Sequence, residues 1–221
     1  MVLCDLPYGI TKYAWDTLIP LNPLFQEYRR VCKENAAIVL FGKQPFSAQL
    51  IQSSPDLYKY SLYWEKSQGS NFFSVKNQPF ATVEEVLIFY KKQPTYNPQM
   101  VPGSPYRNHR RKENGKSVPH NGGVRKESIT VNHGERYPGS LIPLPRGSRE
   151  RKFHPTQKPY SLVEWLLKTY SNAGDLVLDN TAGSGTTGEV CRDMNRDFVL
   201  MEKDPEIFQI MEHRLFGRNA A

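Results

Sequence analysis

No stretch of this 221-residue chain is long and apolar enough to cross a membrane. The longest wholly apolar run is Ala36–Phe41, against the roughly 20 residues a span requires. The N-terminus, Met1-Val-Leu-Cys-Asp5, has neither a basic region nor a secretory apolar core, so a cytoplasmic location is expected. Cysteine is scarce. Cys4, Cys32 and Cys191 are odd in number and lack CxxC spacing, which disfavours both a disulfide framework and a cysteine zinc site. Wholesale disorder is also excluded: with 38% hydrophobic and 23% charged residues, the chain has enough apolar surface for one packed domain.

Positive charge is in excess, at +7 overall, and its placement is informative. Between Arg107 and Lys152 there are 12 Lys and Arg against 4 acids, a local balance of +8. The rest of the chain holds 17 against 18, or −1. All the excess therefore lies in one segment. Residues 93–152 are rich in Pro, Gly, Asn and basic residues and show no periodicity, so a loop-rich basic insertion is expected there. Its histidines, His109, His120 and His133, are not at metal-ligand spacing, and no metal site is expected.

Either side of this segment the patterns are regular. Ala36–Gly42 reads as a buried strand, preceded by a helix over Leu24–Glu34, while Tyr58–Lys66 and Glu85–Lys92 read as further strands. From Phe153 onward the order is αβαβα. Ser161 and Glu164 are spaced as a capping box opening a helix. Strands follow at Asp175–Thr181 and Arg196–Lys203. Asp204-Pro205 supplies an N-cap and a proline at the first helical position of the last helix. Alternation of this kind implies a mostly parallel sheet covered on both faces.

Gly183-Ser-Gly185-Thr-Thr-Gly188 is a GxGxxG turn between a strand and a helix, the context in which such a turn receives a nucleoside-type cofactor. Glu202, at the end of the next strand, is placed to accept hydrogen bonds from a ribose. Gly188 is followed by Glu189-Val190 and not by Lys-Ser or Lys-Thr, so this is not a phosphate-binding Walker loop. Asp179 ends the strand ahead of the turn. A carboxylate there would repel a pyrophosphate and attract a sulfonium, which favours S-adenosylmethionine over a dinucleotide.

The N-terminal strand runs into Asp5-Leu6-Pro7-Tyr8-Gly9. Together with His154-Pro-Thr-Gln-Lys-Pro159 and Asp179-Asn-Thr-Ala-Gly-Ser-Gly185, in that order, this tetrapeptide gives a resemblance over nearly the whole chain. The sequence resembles the DNA amino-methyltransferases acting on N6 of adenine or N4 of cytosine, of the class whose catalytic motif precedes the cofactor motif. The variants D-L-P-Y-G and D-N-T-x-G-S-G-T-T-G resemble a phage and prophage subgroup, which implies a bacterial or phage-infected host cell.

The resemblance implies a single α/β domain over residues 1–221, with the S-adenosylmethionine-dependent, Rossmann-like fold, a seven-stranded sheet and residues 93–152 as a target-recognition region. The family carries a further strand ahead of the catalytic one, so the N-terminal strand is expected to be missing. Asp5 and the Leu6 carbonyl would accept the hydrogens of the target amino group, on a turn fixed by Pro7, and Tyr8 would stack on the extruded base. Thr156, Gln157 and Lys158 would lie near the methionine end of the cofactor. Asp179, Thr181, Ala182, Gly183, Ser184, Gly185 and Thr186 would wrap its methionine and ribose side, and Glu202 would hold the ribose. Double-stranded DNA would be the partner, with phosphates met by Arg107, Arg110, Arg111, Lys112, Arg125, Lys126, Arg146, Arg149, Arg151 and Lys152. Asp at position 5 favours adenine in this family. The alternatives are N4-cytosine transfer and a DNA-binding remnant without activity.

Overall fold

The structure, a computed structural model, describes residues 1–10, 16–66, 69–110, 127–144 and 157–217. Two compact units are present: one of Met1–Asn97 with Gly139–Ala221, and one of Pro98–Pro138.

The larger unit is built on a mixed sheet. Its strands are β1 (Val2–Cys4), β2 (Ile38–Gly42), β3 (Tyr58–Glu65), β4 (Val83–Phe89), β9 (Leu176–Asp179) and β10 (Asp197–Leu200), in the order β10-β9-β1-β2-β4-β3. β10, β9, β1 and β2 run parallel, and β4 is antiparallel to both its neighbours. Among the described residues the sheet has six strands.

Strand alternation explains how both faces come to be covered. Leu3, Val39, Phe41, Val86 and Ile88 point to one face, where they meet α3 (Tyr160–Tyr170) and α4 (Thr186–Asp193) through Leu162, Leu166, Leu167, Val190 and Cys191. Val2, Cys4, Ile38, Leu40, Leu87 and Phe89 point to the other, against Phe25 and Tyr28 of α1 (Leu21–Val31) and Phe46 and Leu50 of α2 (Phe46–Ser53). Neighbouring residues of one strand therefore serve opposite cores, as the two-residue period requires. Each fully buried Leu, Ile or Phe contributes about 1.5–3 kcal/mol, so β2, buried at all five positions, is a principal anchor of the fold.

Of the two helix starts with a capping signal in the sequence, one is formed as expected. The Asp204 carboxylate accepts from the Glu206 and Ile207 amides and caps α5 (Pro205–Phe216), with Pro205 at its first position. The expected capping box at Ser161 and Glu164 is not formed. α3 opens two residues earlier, behind Pro159, with no side-chain cap. Ser161 is then already inside the first turn, and Glu164 instead pairs with Lys168 one turn on, at 2.7 Å.

The smaller unit consists of paired strands: β5 (Val101–Pro102) with β8 (Glu135–Arg136), and β6 (Tyr106–Arg110) with β7 (Ser128–Asn132), both antiparallel. The sequence singled out none of these strands within the loop-rich region. The hairpin partners are separated by a long connection and carry exposed Ile129 and Val131, so no local alternation announces them. Cross-strand contacts replace a core: the Arg136 guanidinium lies over the Tyr106 ring at 4.7 Å, and His109 meets Glu127 at 2.8 Å.

The chain on either side of this unit belongs to the larger one. The Asn97 amide donates to the Thr169 carbonyl, and Tyr63 exchanges backbone hydrogen bonds with Ser140 and Ile142. Ile142 is buried in the core beside Val163 and Leu166.

Candidate active site

The sheet order sets where a ligand can enter. From β1 the chain crosses through α1 to β2 on one side. From β9 it crosses through α4 to β10 on the other, over the opposite face. β1 and β9 are neighbours, with Val2 opposite Leu178. The connections diverge between them, which opens a crevice at their carboxyl ends, the usual ligand position in such sheets. Asp5 follows β1 and the glycine turn follows β9, so motifs more than 170 residues apart face one another.

On the β1 side, the Tyr8 hydroxyl donates to Asp5 Oδ1 at 3.0 Å and the Tyr8 ring stacks on Phe46, with centroids 5.0 Å apart. The other carboxylate oxygen, Oδ2, meets Lys158 Nζ at 2.5 Å. Leu6 is buried. The chain beyond is held by Asp16, whose two oxygens accept from the Gly9 and Ile10 amides at 2.8 and 3.0 Å.

Lys158 sits deep in the site. Its ammonium lies 3.4 Å from Glu84 and 4.9 Å from the centre of the Phe41 ring. Burial works against its charge, but the Asp5 and Glu84 carboxylates outweigh burial and hold its pKa above the ordinary lysine value. Glu84 also binds Lys66 at 3.0 Å. Burial raises the Glu84 pKa, yet Lys158 and Lys66 together bring it below the ordinary glutamate value. Lys66, Glu84, Lys158 and Asp5 thus form one chain of alternating charge. Lys158 was expected beside the cofactor; its nearest partner here is Asp5. Its neighbour Gln157 reaches the other wall and accepts from the Ser184 hydroxyl at 3.2 Å. Thr156 and His154 lie outside the described residues.

On the β9 side, Asp179 is turned into the glycine turn itself. It accepts from the Thr187 hydroxyl at 2.7 Å and the Thr181 amide at 3.1 Å. Burial pushes its pKa up to about 6, against the lowering effect of these donors. The three glycines differ in purpose. Gly183 adopts φ +53°, and a Cβ there would meet nothing within 4 Å, so this backbone faces open space. Gly185 adopts φ +81°, and a Cβ there would lie 2.7 Å from Met211 Cγ; at Gly188 it would lie 2.6 Å from Leu200 Cδ1. The latter two glycines therefore seat the turn on α5 and β10, and only the first offers close approach from outside.

Glu202 accepts from the Gly183 amide through one oxygen and from the Asp204 amide through the other, both at 2.9 Å. Ala182 and Ser184 are buried within the turn. Arg214 of α5, unremarked in the sequence, binds the Ser184 carbonyl at 3.0 Å and the Thr186 hydroxyl at 3.1 Å, and pairs with Glu189. Asn180 links the two strands, accepting from the Cys4 thiol at 3.0 Å and the Tyr28 hydroxyl at 2.7 Å.

These features fit a nucleoside carrying a cationic amino acid. The Gly183 backbone is open on one side, and the half-buried Glu202 keeps unused lone pairs at the strand end. The buried Thr181 Oγ1 has no hydrogen-bond partner among the described residues. The amides opening α4 offer a partial positive charge to a carboxylate.

Of the basic residues expected to meet DNA, Arg107 is exposed on β6 and Arg110 ends that strand. Arg111, Lys112, Arg125, Lys126, Arg146, Arg149, Arg151 and Lys152 lie outside the described residues. No group of three or more His, Cys, Asp or Glu among the described residues is arranged to hold a metal, and no described helix is long and apolar enough to cross a membrane.

Comparison with solved structures defines the class first. The fold matches the M1.HpyAVI complex with S-adenosylmethionine at a TM-score of 0.64, with 22% identity over 97% of this chain and 88% of that one. It matches the cytosine-N4-specific PvuII DNA methyltransferase at 0.66, with 17% identity over 100% and 80%. The fold is that of S-adenosylmethionine-dependent methyltransferases. The chain belongs to the N6/N4 DNA methylase family, whose model matches residues 1–213, and the methyl donor of that family is S-adenosylmethionine. It is 41% identical over 233 aligned residues to the type II methyltransferase M.HpaI of Haemophilus parainfluenzae, an alignment covering 97% of this chain and 67% of that protein.

Proposed function

We propose that this DNA methyltransferase transfers the methyl group of S-adenosylmethionine to the N6 amino group of adenine at a specific site in double-stranded DNA. The observation that carries the reading is the setting of Asp5. It is a carboxylate at the crevice mouth, oriented by Tyr8 and Lys158 and facing a turn suited to the cofactor.

S-adenosylmethionine supplies an electrophilic methyl group; the protein's task is to make a weak nucleophile attack it. An exocyclic amino group delocalises its lone pair into the ring. Asp5 and the Leu6 carbonyl accept its two hydrogens, favour a tetrahedral nitrogen and stabilise the positive charge that develops there. Holding nitrogen and methyl in line supplies much of the remaining barrier reduction. Extrusion of the base costs a few kcal/mol, partly offset by stacking on Tyr8, which Phe46 backs. Pro7 limits movement of the turn. The ribose is held by Glu202, the methionine side by the Thr181–Thr186 turn with Thr156, Gln157 and Lys158. Asp179 acts by fixing that turn.

Residues 93–152 serve in this reading as the target-recognition region within one catalytic domain of residues 1–221. Their +8 balance meets the DNA phosphates. The choice of adenine rests on Asp5, where cytosine N4 enzymes of the resembled family more commonly carry serine.

The test is base-modification sequencing of DNA from cells expressing the chain, beside purified Asp5→Ala assayed for methyl transfer and DNA binding. We expect N6-methyladenine at one sequence motif, with transfer abolished in the variant and DNA affinity nearly unchanged, because the lost hydrogen bond belongs to the transition state. N4-methylcytosine would replace the adenine reading. Normal turnover by the variant would remove Asp5 from the mechanism, and absence of any modification by the wild type would leave a DNA-binding remnant.

A further inference from the structure

Resting on the methyl-transfer reading above, we propose that Glu84 is a positioning residue that balances the charge of Lys158, letting Lys158 hold Asp5 without leaving net positive charge where a sulfonium must bind. No motif marks Glu84. It lies near the start of β4, beside Val83, in a strand whose last four residues, Val86–Phe89, are fully buried and apolar.

The geometry is that of a closed chain. Asp5 Oδ2 is 2.5 Å from Lys158 Nζ, that nitrogen is 3.4 Å from Glu84 Oε2, and Glu84 Oε1 is 3.0 Å from Lys66 Nζ. The side chains of Lys158, Glu84 and Lys66 are only 13–14% exposed. Charges so withdrawn from water persist only when paired. The groups facing Lys158 are Asp5 beyond β1, Glu84 on β4 and the rings of Tyr8 and Phe41, with Lys66 behind Glu84.

The four charges sum to zero. The crevice must nonetheless accept a cationic cofactor, and the target nitrogen becomes positive as the methyl group moves. Were Lys158 paired with Asp5 alone, Lys66 would leave the group at +1, and that charge would oppose both events. Glu84 removes this opposition while leaving Lys158 available to orient Asp5. Asp5 is thereby kept as an oriented acceptor of the amino hydrogens.

The experiment compares S-adenosylmethionine with S-adenosylhomocysteine, which lacks the sulfonium charge, by calorimetry on the full chain. Glu84→Gln keeps the shape and removes the charge. We expect its affinity for S-adenosylmethionine to fall roughly tenfold or more at the effective dielectric of such sites, while S-adenosylhomocysteine affinity stays within about twofold. Lys66→Met shifts the balance the other way and is expected to raise the preference for the charged ligand. Glu84→Asp is expected to restore most of it. The alkaline limb of activity in Glu84→Gln should move to lower pH, since Lys158 loses one of its two carboxylates.

Equal loss of both ligands in Glu84→Gln, or no loss of either, with an unmoved pH profile, would reduce Glu84 to a structural pair and overturn the proposal. If Glu84→Gln does not fold, Lys66→Met decides by the same comparison, and an unchanged ligand preference in that variant would overturn the proposal. Failure of the wild type to bind either ligand would instead refute the reading of the cofactor site on which the proposal rests.

Discussion

Replacing Lys158 with methionine tests the architecture of the site most directly. Methionine keeps most of the unbranched apolar stem while removing the ammonium that Asp5 and Glu84 share and that lies over the Phe41 ring. Breaking a buried ion pair from one side costs about 3–5 kcal/mol, because the remaining charge loses its compensation. Lys158 and Glu84 are 13% and 14% exposed and Asp5 28%, so the lower half of that range is appropriate. For a chain of this size about 3 kcal/mol corresponds to a fall in melting temperature of roughly 6–12 °C.

The pH dependence supplies the sharper check. The Glu84 pKa lies below its ordinary value in the folded protein. Its pairing therefore stabilises the wild type above the ordinary glutamate range and is lost as pH falls through the lowered value. In Lys158→Met this advantage is largely absent at pH 7, and protonation of Glu84 in acid removes much of the remaining penalty. Urea unfolding at pH 7 and pH 4 should show a large deficit at the first and a smaller one at the second. The double variant Lys158→Met/Glu84→Gln should be less destabilised at pH 7 than the sum of the single changes. A deficit below about 1 kcal/mol at pH 7, or one of equal size at both pH values, would refute the claim that this ammonium is a buried keystone.

Other outcomes follow from the same geometry. Asp179 is buried with its pKa pushed up to about 6, so its contribution to stability declines as pH rises from about 4 to 6, by roughly 3 kcal/mol. Asp179→Asn should flatten that stretch of the melting-temperature profile, and an unchanged slope would contradict it. Gly185→Val meets both a positive φ and Met211 at 2.7 Å, so it should lower the melting temperature whether or not cofactor is present. Gly183→Ala, with open space around it, should cost only about 1–2 kcal/mol of backbone strain and show its larger effect in calorimetry with S-adenosylhomocysteine. Neutralising Arg110, Arg111 and Lys112 together should flatten the log–log salt dependence of DNA binding by up to about 3 units; an unchanged slope would move recognition elsewhere.

The sheet was legible because its strands are either wholly apolar, like Ile38–Gly42, or rich in β-branched and aromatic residues, like Tyr58–Glu65. The glycine turn was legible because it lies in one run of sequence between a strand and a helix. Its division of labour was not: Gly183 and Gly185 read alike, and only the position of α5 separates an open face from a packed one. Glu84, Lys66 and Arg214 were missed for a related reason. Each acts on a partner at least 18 residues away in sequence, and an isolated Glu in a strand or Arg in a last helical turn has an ordinary surface reading. The hairpins at residues 106–132 were invisible because their strands expose apolar side chains, so no buried face imprints a period.

Gln157 and Lys158 show why the motif ahead of α3 belongs to the site as firmly as the two it joins. Consecutive residues reach opposite walls: Gln157 meets Ser184 on the glycine turn and Lys158 meets Asp5 on the tetrapeptide after β1. A spacing fixed by one peptide unit thus links β9 to β1 across the crevice. The segment is itself anchored, because α3 begins at Tyr160 and buries Leu162, Val163, Leu166 and Leu167 against the sheet. Movement of Lys158 by more than the slack of its side chain would have to drag a fully packed helix. The separation between Asp5, the proposed acceptor for the target amino group, and the glycine turn proposed to receive the cofactor is accordingly set by the core, not by the surface loops. This is the precision that in-line methyl transfer demands of a site.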